Sequence, residues 1–398
     1  MPYAAGRAYH DADSHIMELP DFLRRWADPG IRDRLPDINF DSGGKLRLAL
    51  DRLIERGGHE PGTVDELTAL GDGILAGPKG YEALGAFNAG ERSTALDLLG
   101  FDRQLVFSTF SPSVTFAERQ DPDVVYGACR AHNRAMSAFC AEDPRLIGVA
   151  TLCLDDPERA AAELDHALGV GLCAVWVPHR PAGGRSPGHD DLDPIWARLQ
   201  EAGVPFLLHV GGAAIQVAPE WMNTGRPQPT DWLGGGENVR GKDMIGLHHQ
   251  AELFVGTLVF DGVLERFPRL RGGVIELGAG WVPALLRRLD LAAQIWQRSE
   301  PELAALTRTP SEQIIEQMAF TPYPFEDVGA MIRESDPGLY LFSSDYPHVE
   351  GGRNPLARFE GSLAALDDEA RDRFYSENFT AMLDLAAGGP SVELTRGR

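Results

Sequence analysis

The chain contains 398 residues, and its 37 Lys and Arg against 59 Asp and Glu give a formal net charge of −22. Hydrophobic residues make up 43% and charged residues 24%, a composition typical of a globular protein and not of a disordered one. The acidic balance argues against nucleic acid and anionic membrane surfaces as partners, because both attract basic patches. No apolar run has the length of a membrane span, and the first residues lack the apolar core of a secretory signal.

The four cysteines lie in apolar segments, and no two of them show the CxxC spacing of a metal or redox site. We interpret them as reduced core residues, which predicts a cytoplasmic protein. They are Cys129, Cys140, Cys153 and Cys173.

Short apolar runs alternate with longer helical patterns along the chain. This alternation is typical of parallel βα units, and eight of them predict a (β/α)8 TIM barrel. The predicted helices cover 121–142, 155–168, 191–201 and 281–297. The predicted strands cover 8–13, 104–107, 146–151, 173–177, 205–209, 273–276, 318–321 and 339–343.

Two segments are too long for ordinary connections between strand and helix. Residues 27–100 are rich in Gly, Pro and charge and predict an inserted lobe, and residues 211–245 contain Trp221, Trp232 and three glycines at 234–236. Long loops at the carboxyl ends of barrel strands usually build the active site. We therefore predict one barrel domain over 1–398, with long inserted loops after strands 1 and 5 and a frayed tail at 387–398.

Polar side chains stand at the carboxyl ends of three predicted strands. Asp13 and His15 follow strand 1 and can share a face because they are two residues apart. His209 ends strand 5, and Asp345 follows strand 8. Each has an ordinary structural explanation by itself, as a cap or a satisfied core histidine, but all four are expected to converge. Two imidazoles and two carboxylates suit Zn²⁺ or Mn²⁺, and the carboxylates favour the harder ion.

These segments resemble the amidohydrolase superfamily, in particular the branch of aminocarboxymuconate-semialdehyde decarboxylase and the metal-dependent hydroxybenzoate decarboxylases. The similar stretches are DSH at 13–15, LH at 208–209, GVLERFPRL at 262–270 and SDYP at 344–347, and the resemblance covers roughly residues 8–386. It implies a barrel with one metal ion on Asp13, His15, His209 and Asp345. Binuclear members use a carboxylated lysine after strand 4, but here that strand ends in VPHR at 177–180, which favours a single ion.

One position departs from those decarboxylases. After strand 6, those decarboxylases carry a histidine that helps in proton transfer, and it lies six residues before a proline. In this chain the corresponding residue is Leu277. Each remaining candidate for the acid–base role also has a structural alternative, as an ion-pair partner or as loop surface. The candidates are Asp345, Glu276, His348 and the adjacent pair His248 and His249.

The resemblance implies a metal-dependent enzyme, and we expect it to decarboxylate an aromatic or unsaturated small carboxylic acid without oxidation. The missing histidine favours a second interpretation, a hydrolase that uses metal-activated water. A third is a barrel-derived binding protein without catalysis. We also expect a homodimer or higher homo-oligomer that binds a small molecule. Aromatic residues that suit a planar substrate are Phe110, Phe116, Trp176, Trp221, Trp232 and Tyr323, with Arg180 and Arg240 as candidates for its carboxylate.

Overall fold

The computed structural model describes residues 1–38, 44–215, 217–227 and 239–384. In these ranges eight strands pair in parallel, in the order β1, β3, β4, β5, β6, β7, β8, and β2 also pairs with β3. Trp232, the three glycines at 234–236 and the predicted tail at 387–398 lie outside the described residues. The strands are β1 His10–Asp11, β2 His15–Ile16, β3 Arg103–Ser108, β4 Leu146–Thr151, β5 Ala174–Trp176, β6 Phe206–His209, β7 Gly272–Ile275 and β8 Met318–Phe320.

Residues 339–346, which we call the closing segment, connect β8 back to β1 and complete the barrel. They include the predicted eighth strand, which pairs through bridges and single hydrogen bonds and not through a continuous ladder. The prediction of a (β/α)8 barrel is confirmed. The joining hydrogen bonds are Leu341 N to Phe320 O at 2.9 Å, Ala12 N to Phe342 O at 3.0 Å, Asp345 N to Asp13 O at 2.8 Å and His15 N to Tyr346 O at 2.8 Å.

The strands are apolar because both of their faces are buried, as in other all-parallel sheets. Alternate positions point inward, so Leu105, Val149, Leu207, Ile275 and Leu341 form one cluster that fills the barrel. A larger cluster, formed by the outward positions and the helices, surrounds it. Polar side chains at the ends of the strands therefore lie above a closed apolar interior, at the barrel mouth.

Helices cover the outside of the sheet. Asp156 shows how the sequence starts one of them, since its carboxylate accepts a hydrogen bond from Arg159 N and Pro157 occupies the first turn. The four predicted helices are present with shifts of one to two residues at their ends. The described helices of seven or more residues are Gly44–Arg56, Pro61–Thr68, Ala89–Leu99, Pro122–Cys140, Pro157–Gly169, Asp193–Ala202, His249–Phe260, Val282–Trp296, Pro310–Gln317, Val328–Glu334 and Pro355–Leu363. None of the helices in the described ranges is long and apolar enough to cross a bilayer.

Residues 17–102 separate β2 from β3 and contain the segment predicted as an inserted lobe. Arg92, on the helix Ala89–Leu99, is fully buried and joins this segment to the barrel. Its guanidinium donates to Gly85 O at 2.7 Å, to Gln104 Oε1 at 3.0 Å and to His15 O. The segment after β2 therefore fixes the backbone of a residue at the barrel mouth.

A histidine–glutamate pair connects different parts of the same segment. His59 Nδ1 lies 2.7 Å from Glu91 Oε2, and His59 Nε2 lies 2.9 Å from Tyr81 O. Burial opposes both charged forms, but the hydrogen bonds prevail, so the pKa of His59 is raised and that of Glu91 is lowered. A raised histidine pKa gives stability that is lost as the pH rises through the folded-state pKa. A lowered glutamate pKa gives stability that is lost as the pH falls through its folded-state value.

We therefore expect His59→Gln to destabilise the protein most between about pH 4.5 and 6.5, the ordinary pKa values of the two groups. The loss should be about 1–3 kcal/mol, as for a hydrogen bond to a charged group. Urea denaturation from pH 4 to 9 would measure it, with exposed His189→Gln as the control. A difference between the wild type and His59→Gln that does not shrink above pH 7 would contradict the pairing.

Candidate metal centre

Six polar residues from four parts of the chain meet at the barrel mouth. Apolar strands end directly before or beside them, so the local sequence places each side chain at a carboxyl end. All six are buried. They are Asp13 between β1 and β2, His15 in β2, His209 at the end of β6, Glu276 directly after β7, Asp345 in the closing segment, and His348 two residues after that segment.

The side chains form two overlapping groups whose potential ligand atoms lie within 4.8 Å of one another. The first contains Asp13, His15, His209 and Glu276, and the second contains His15, Glu276, Asp345 and His348. The distances from His209 Nε2 are 3.3 Å to Asp13 Oδ1 and 3.3 Å to Glu276 Oε2. Those from His15 Nε2 are 3.2 Å to Asp13 Oδ1, 3.6 Å to Asp345 Oδ1 and 3.9 Å to Glu276 Oε2.

The tautomer of His209 follows from its backbone contact. Its Nδ1 lies 2.9 Å from Val210 O, so Nδ1 carries a hydrogen, and Nε2 is the nitrogen that faces Asp13 and Glu276 and can offer a lone pair to a metal ion. Two acceptors facing each other at 3.3 Å repel unless a cation lies between them. Burial, the largest effect, holds the pKa of His15 well below its ordinary value, so His15 also has a lone pair to offer.

The carboxyl groups of the site also suit a cation. Three carboxylates, those of Asp13, Glu276 and Asp345, are buried within one small volume. Neither oxygen of Asp345 accepts a hydrogen bond from the described part of the chain. Buried charges are normally paired or bound to metal, because desolvation is costly. The donor set of imidazole and carboxylate therefore fits one divalent ion.

Two members of the site have left-handed backbones, which residues other than glycine rarely adopt. Glu276 has φ of 57° and Asp345 has φ of 53°. Hydrogen bonds from Tyr323 Oη to Glu276 O at 3.0 Å and from Glu276 N to Thr321 Oγ1 at 2.8 Å hold the first of them. Such strain occurs mainly at functional sites, where the surrounding structure maintains it.

A buried network supports the site from below. Asp11 accepts hydrogen bonds from Ser344 N at 2.7 Å, from Ser344 Oγ at 2.6 Å and from Gln104 Nε2 at 2.8 Å. Burial raises the pKa of Asp11 to about 7 despite these bonds. The network links β1 to the closing segment, and through Gln104 it reaches Arg92. Nothing in the local sequence marks Asp11, Gln104 or Arg92 as supporting residues.

His348 lies beside Asp345 and His15, at one end of a short chain of contacts. Its Nδ1 is 3.1 Å from Asp345 Oδ1, its Nε2 is 3.0 Å from Thr109 Oγ1, and its ring stacks on that of His15 with centroids 3.9 Å apart. Glu18, a lower-ranked candidate because it lies near the end of the first strand, is fully buried and accepts a hydrogen bond from the backbone N of Thr109 at 2.8 Å. Glu18 therefore positions the threonine that contacts His348.

The other predicted acid–base residues lie elsewhere. His248 stacks on Trp281 with centroids 5.6 Å apart, and its Nε2 is 3.8 Å from Glu252. Burial lowers the pKa of His248 to about 4. Within the described ranges, neither His248 nor the adjacent His249 belongs to the two groups of potential ligands. Both therefore stay predictions without support from the geometry.

The aromatic residues that were expected at the barrel mouth differ in how close they lie to the site and in how exposed they are. Trp176 packs against the rings of His209 and Phe116, with centroids 4.8 and 5.3 Å apart. Trp221, in contrast, is 74% exposed. The candidate Arg180 is occupied by Asp155, whose oxygens lie 2.7 and 2.9 Å from its guanidinium. An apolar wall therefore stands beside the ligands, but Arg180 is not free to hold a substrate.

A comparison with known protein families shows which family this chain is related to. The family model described as "Amidohydrolase" matches residues 81–385. The chain belongs to the amidohydrolase family. The resemblance predicted from residues 13–15, 208–209 and 344–347 is confirmed.

Three individual proteins show what this amidohydrolase is similar to. "Decarboxylase orsB" of Emericella nidulans is 29% identical over 308 residues, which are 76% of this chain and 82% of that protein. The structure of amidohydrolase map2389c from Mycobacterium avium subsp. paratuberculosis has a TM-score of 0.72 at 22% identity, covering 96% of this chain and 100% of its own. A dihydroxybenzoic acid decarboxylase from Polaromonas, with bound manganese and the inhibitor 2-nitroresorcinol, has a TM-score of 0.60 at 17% identity, covering 96% of this chain and 98% of its own.

Proposed function

We propose that this amidohydrolase is a divalent-metal-dependent, non-oxidative decarboxylase of a small aromatic or unsaturated carboxylic acid. The observation that carries the proposal is the buried group of imidazoles and carboxylates at the barrel mouth. The ligands we assign are Asp13, His15, His209 and Asp345, for Zn²⁺ or Mn²⁺. The similarity to a protein named as a decarboxylase supports this chemistry over others of the family.

The ion, when bound, polarises a substrate oxygen in a site of low dielectric. Loss of CO₂ leaves an electron pair on the ring or chain carbon, and a proton must be delivered to that carbon. Glu276 and His348 are the candidate proton donors that lie among the ligands, at 3.3 Å from His209 and 3.1 Å from Asp345. Asp345 is the third candidate, and its Oδ1 lies 3.1 Å from His348 Nδ1.

A hydrolase is the alternative, and it is favoured by one feature. Leu277 stands where related decarboxylases carry a histidine, and the adjacent Glu276 is a carboxylate of the kind that deprotonates water. In that reaction a water oxygen enters the product, whereas in decarboxylation a solvent proton replaces the lost carboxylate. Isotopic labelling therefore separates the two functions.

We expect the manganese-loaded protein to release CO₂ from at least one hydroxybenzoate, in a panel that also contains muconate semialdehydes and aromatic amides. In D₂O the product should carry one deuterium at the carbon that lost CO₂, as read by mass spectrometry. Incorporation of ¹⁸O from labelled water into the organic product, at an oxygen that does not exchange with water, would instead establish the hydrolase; the oxygens of CO₂ exchange with water and are not used. Metal binding without either reaction across the panel would favour the non-catalytic binding protein.

We also propose a homodimer or higher homo-oligomer in the cytoplasm. The helix Val282–Trp296 supports an interface, because Leu291, Ile295 and Trp296 are 56%, 56% and 53% exposed, and the first two are one turn apart.

The four unpaired cysteines, three of them buried, suit a reducing compartment.

The double variant Leu291→Glu, Ile295→Glu should therefore be a monomer in light scattering, because it places charges within an apolar interface. Arg287→Glu, on the same helix and 64% exposed at its side chain, is the control for a change of charge alone. A wild type that is itself monomeric at micromolar concentration would refute the interface.

A further inference from the structure

The ring of His348 supports two of the assigned metal ligands from one side. It stacks on the ring of His15, with centroids 3.9 Å apart and an angle of 23° between the planes. Its Nδ1 lies 3.1 Å from Asp345 Oδ1, and the side chain is buried. The orientation of the His348 ring therefore bears on the position of both ligands.

The other nitrogen of this ring contacts the hydroxyl of Thr109, the residue directly after β3. Thr109 Oγ1 lies 3.0 Å from His348 Nε2 and 2.9 Å from Ile16 O. A carbonyl oxygen can only accept, so the single hydrogen of the threonine hydroxyl goes to Ile16 O, and Oγ1 accepts a hydrogen bond from His348 Nε2. Rotation of the ring by 180° would place carbon atoms at both Thr109 and Asp345. The hydroxyl of Thr109 therefore selects the orientation in which Nδ1 faces the carboxylate.

The backbone that carries this hydroxyl is held by a buried carboxylate. Glu18 accepts hydrogen bonds from three successive backbone N–H groups and from one hydroxyl. The donors are Thr109 N at 2.8 Å, Phe110 N at 3.1 Å, Ser111 N at 2.9 Å and Ser111 Oγ at 2.8 Å. The backbone of Glu18 is held in turn, because Tyr81 Oη donates to Glu18 O at 2.7 Å. Thr109 thus presents its hydroxyl to His348 from a fixed position.

We propose that Thr109 is a positioning residue of the metal centre, which acts through His348 on His15 and Asp345. Its hydroxyl keeps the His348 ring in place, and the ring keeps the two ligands oriented toward the ion. Removal of groups that orient metal ligands weakens metal binding by about 10–100-fold in other proteins. The inference rests on the proposed function only in taking His15 and Asp345 as ligands, and it does not depend on the reaction.

The test measures the Kd for Mn²⁺ by calorimetric titration of chelator-treated protein, without substrate. Thr109→Val keeps the branched shape of the side chain but removes the hydroxyl, so it should raise the Kd by about 10–100-fold. Thr109→Ser keeps the hydroxyl and should restore most of the wild-type affinity. Ser113→Ala is the matched control, because Ser113 Oγ lies on the same loop and donates to Phe110 O at 2.7 Å. Its Kd should equal that of the wild type.

A double-mutant cycle separates an effect that passes through His348 from a general effect on the structure. His348→Phe keeps a ring beside His15 but removes both nitrogens. If Thr109 acts through His348, Thr109→Val should change the Kd little in the His348→Phe background, because the contact that the hydroxyl makes is already absent. The same fold-change in both backgrounds would contradict the proposal, since independent effects add.

The remaining outcomes distinguish this proposal from the proposed function. A Thr109→Val protein with the wild-type Kd would overturn the role of Thr109, even if the wild type releases CO₂. A raised Kd that Thr109→Ser does not restore would also overturn it, because the hydroxyl would not be the cause. The expected Kd values in a protein that releases no CO₂ would support Thr109 and refute the decarboxylase. A wild type that binds no Mn²⁺ would overturn both proposals.

Discussion

His209→Ala is expected to remove the divalent ion and, with it, all metal-dependent turnover. The side chain ends β6, its hydrogen on Nδ1 is committed to Val210 O, and its Nε2 faces Asp13 and Glu276 at 3.3 Å. Alanine leaves the buried carboxylates of Asp13 and Glu276 without this lone pair between them, and the barrel interior below His209 is apolar. Loss of groups that merely orient metal ligands already weakens binding by about 10–100-fold, so loss of a ligand should weaken it by at least about 10²-fold.

Metal analysis of purified and reconstituted protein measures the effect directly. The wild type should hold about one equivalent, and His209→Ala should hold much less at the same free manganese concentration. His179→Phe is the matched control, since His179 is equally buried and close to Gly212 but belongs to neither ligand group. One full equivalent of manganese in His209→Ala would remove His209 from the ligand set.

The prediction of the fold succeeded where the information is local in the sequence. A parallel strand buried on both faces must be a short apolar run, as in Phe206–His209, and a polar residue at its end stands out. His209 could therefore be recognised as a candidate from its own neighbours. The same reasoning located Asp13, His15 and Asp345, because the carboxyl ends of barrel strands meet at one mouth.

The supporting residues could not be predicted, because their partners are distant in the sequence. Arg92 lies on a helix of the segment between β2 and β3, and nothing around it indicates that its guanidinium reaches His15 O, 77 residues away. Glu18 resembles any acidic loop residue, yet its carboxylate orders the backbone at Thr109, 91 residues away. Residues that complete a buried polar network become visible only when the fold has brought the chain together.

Glu276 illustrates both sides of this limit. Its position after β7 made it a candidate, but the sequence favoured the pair His248 and His249 slightly over it. The left-handed backbone at Glu276, with φ of 57°, turns its carboxylate into the ligand group, while His248 packs on Trp281. No sequence pattern encodes the backbone conformation of Glu276. This conformation distinguishes Glu276 from His248 and His249, which their spacing in the sequence could not do.

Glu276→Gln is expected to lower kcat by about 10²–10⁴-fold, the contribution that a positioned acid or base makes to a proton transfer. Glutamine keeps the size and the hydrogen-bonding oxygen of the side chain but cannot hold or release a proton at neutral pH. If Glu276 delivers the proton, manganese content should remain near one equivalent, because Asp13, His15, His209 and Asp345 are still present. Deuterium incorporation should slow in parallel with CO₂ release.

The comparison with His348→Gln decides which of the two groups provides the proton. His348 contacts Asp345 at 3.1 Å, and Glu276 contacts His209 at 3.3 Å, so either can act beside the ligands. If Glu276 is the donor, His348→Gln should lower kcat less than Glu276→Gln does. The smaller effect of His348→Gln would arise because His348 helps to position Asp345. Tyr323→Phe is the control, since it removes the hydrogen bond to Glu276 O and leaves the carboxylate intact. A Glu276→Gln protein that loses manganese instead of kcat would make Glu276 a metal ligand, and His348 would then be the group left to deliver the proton.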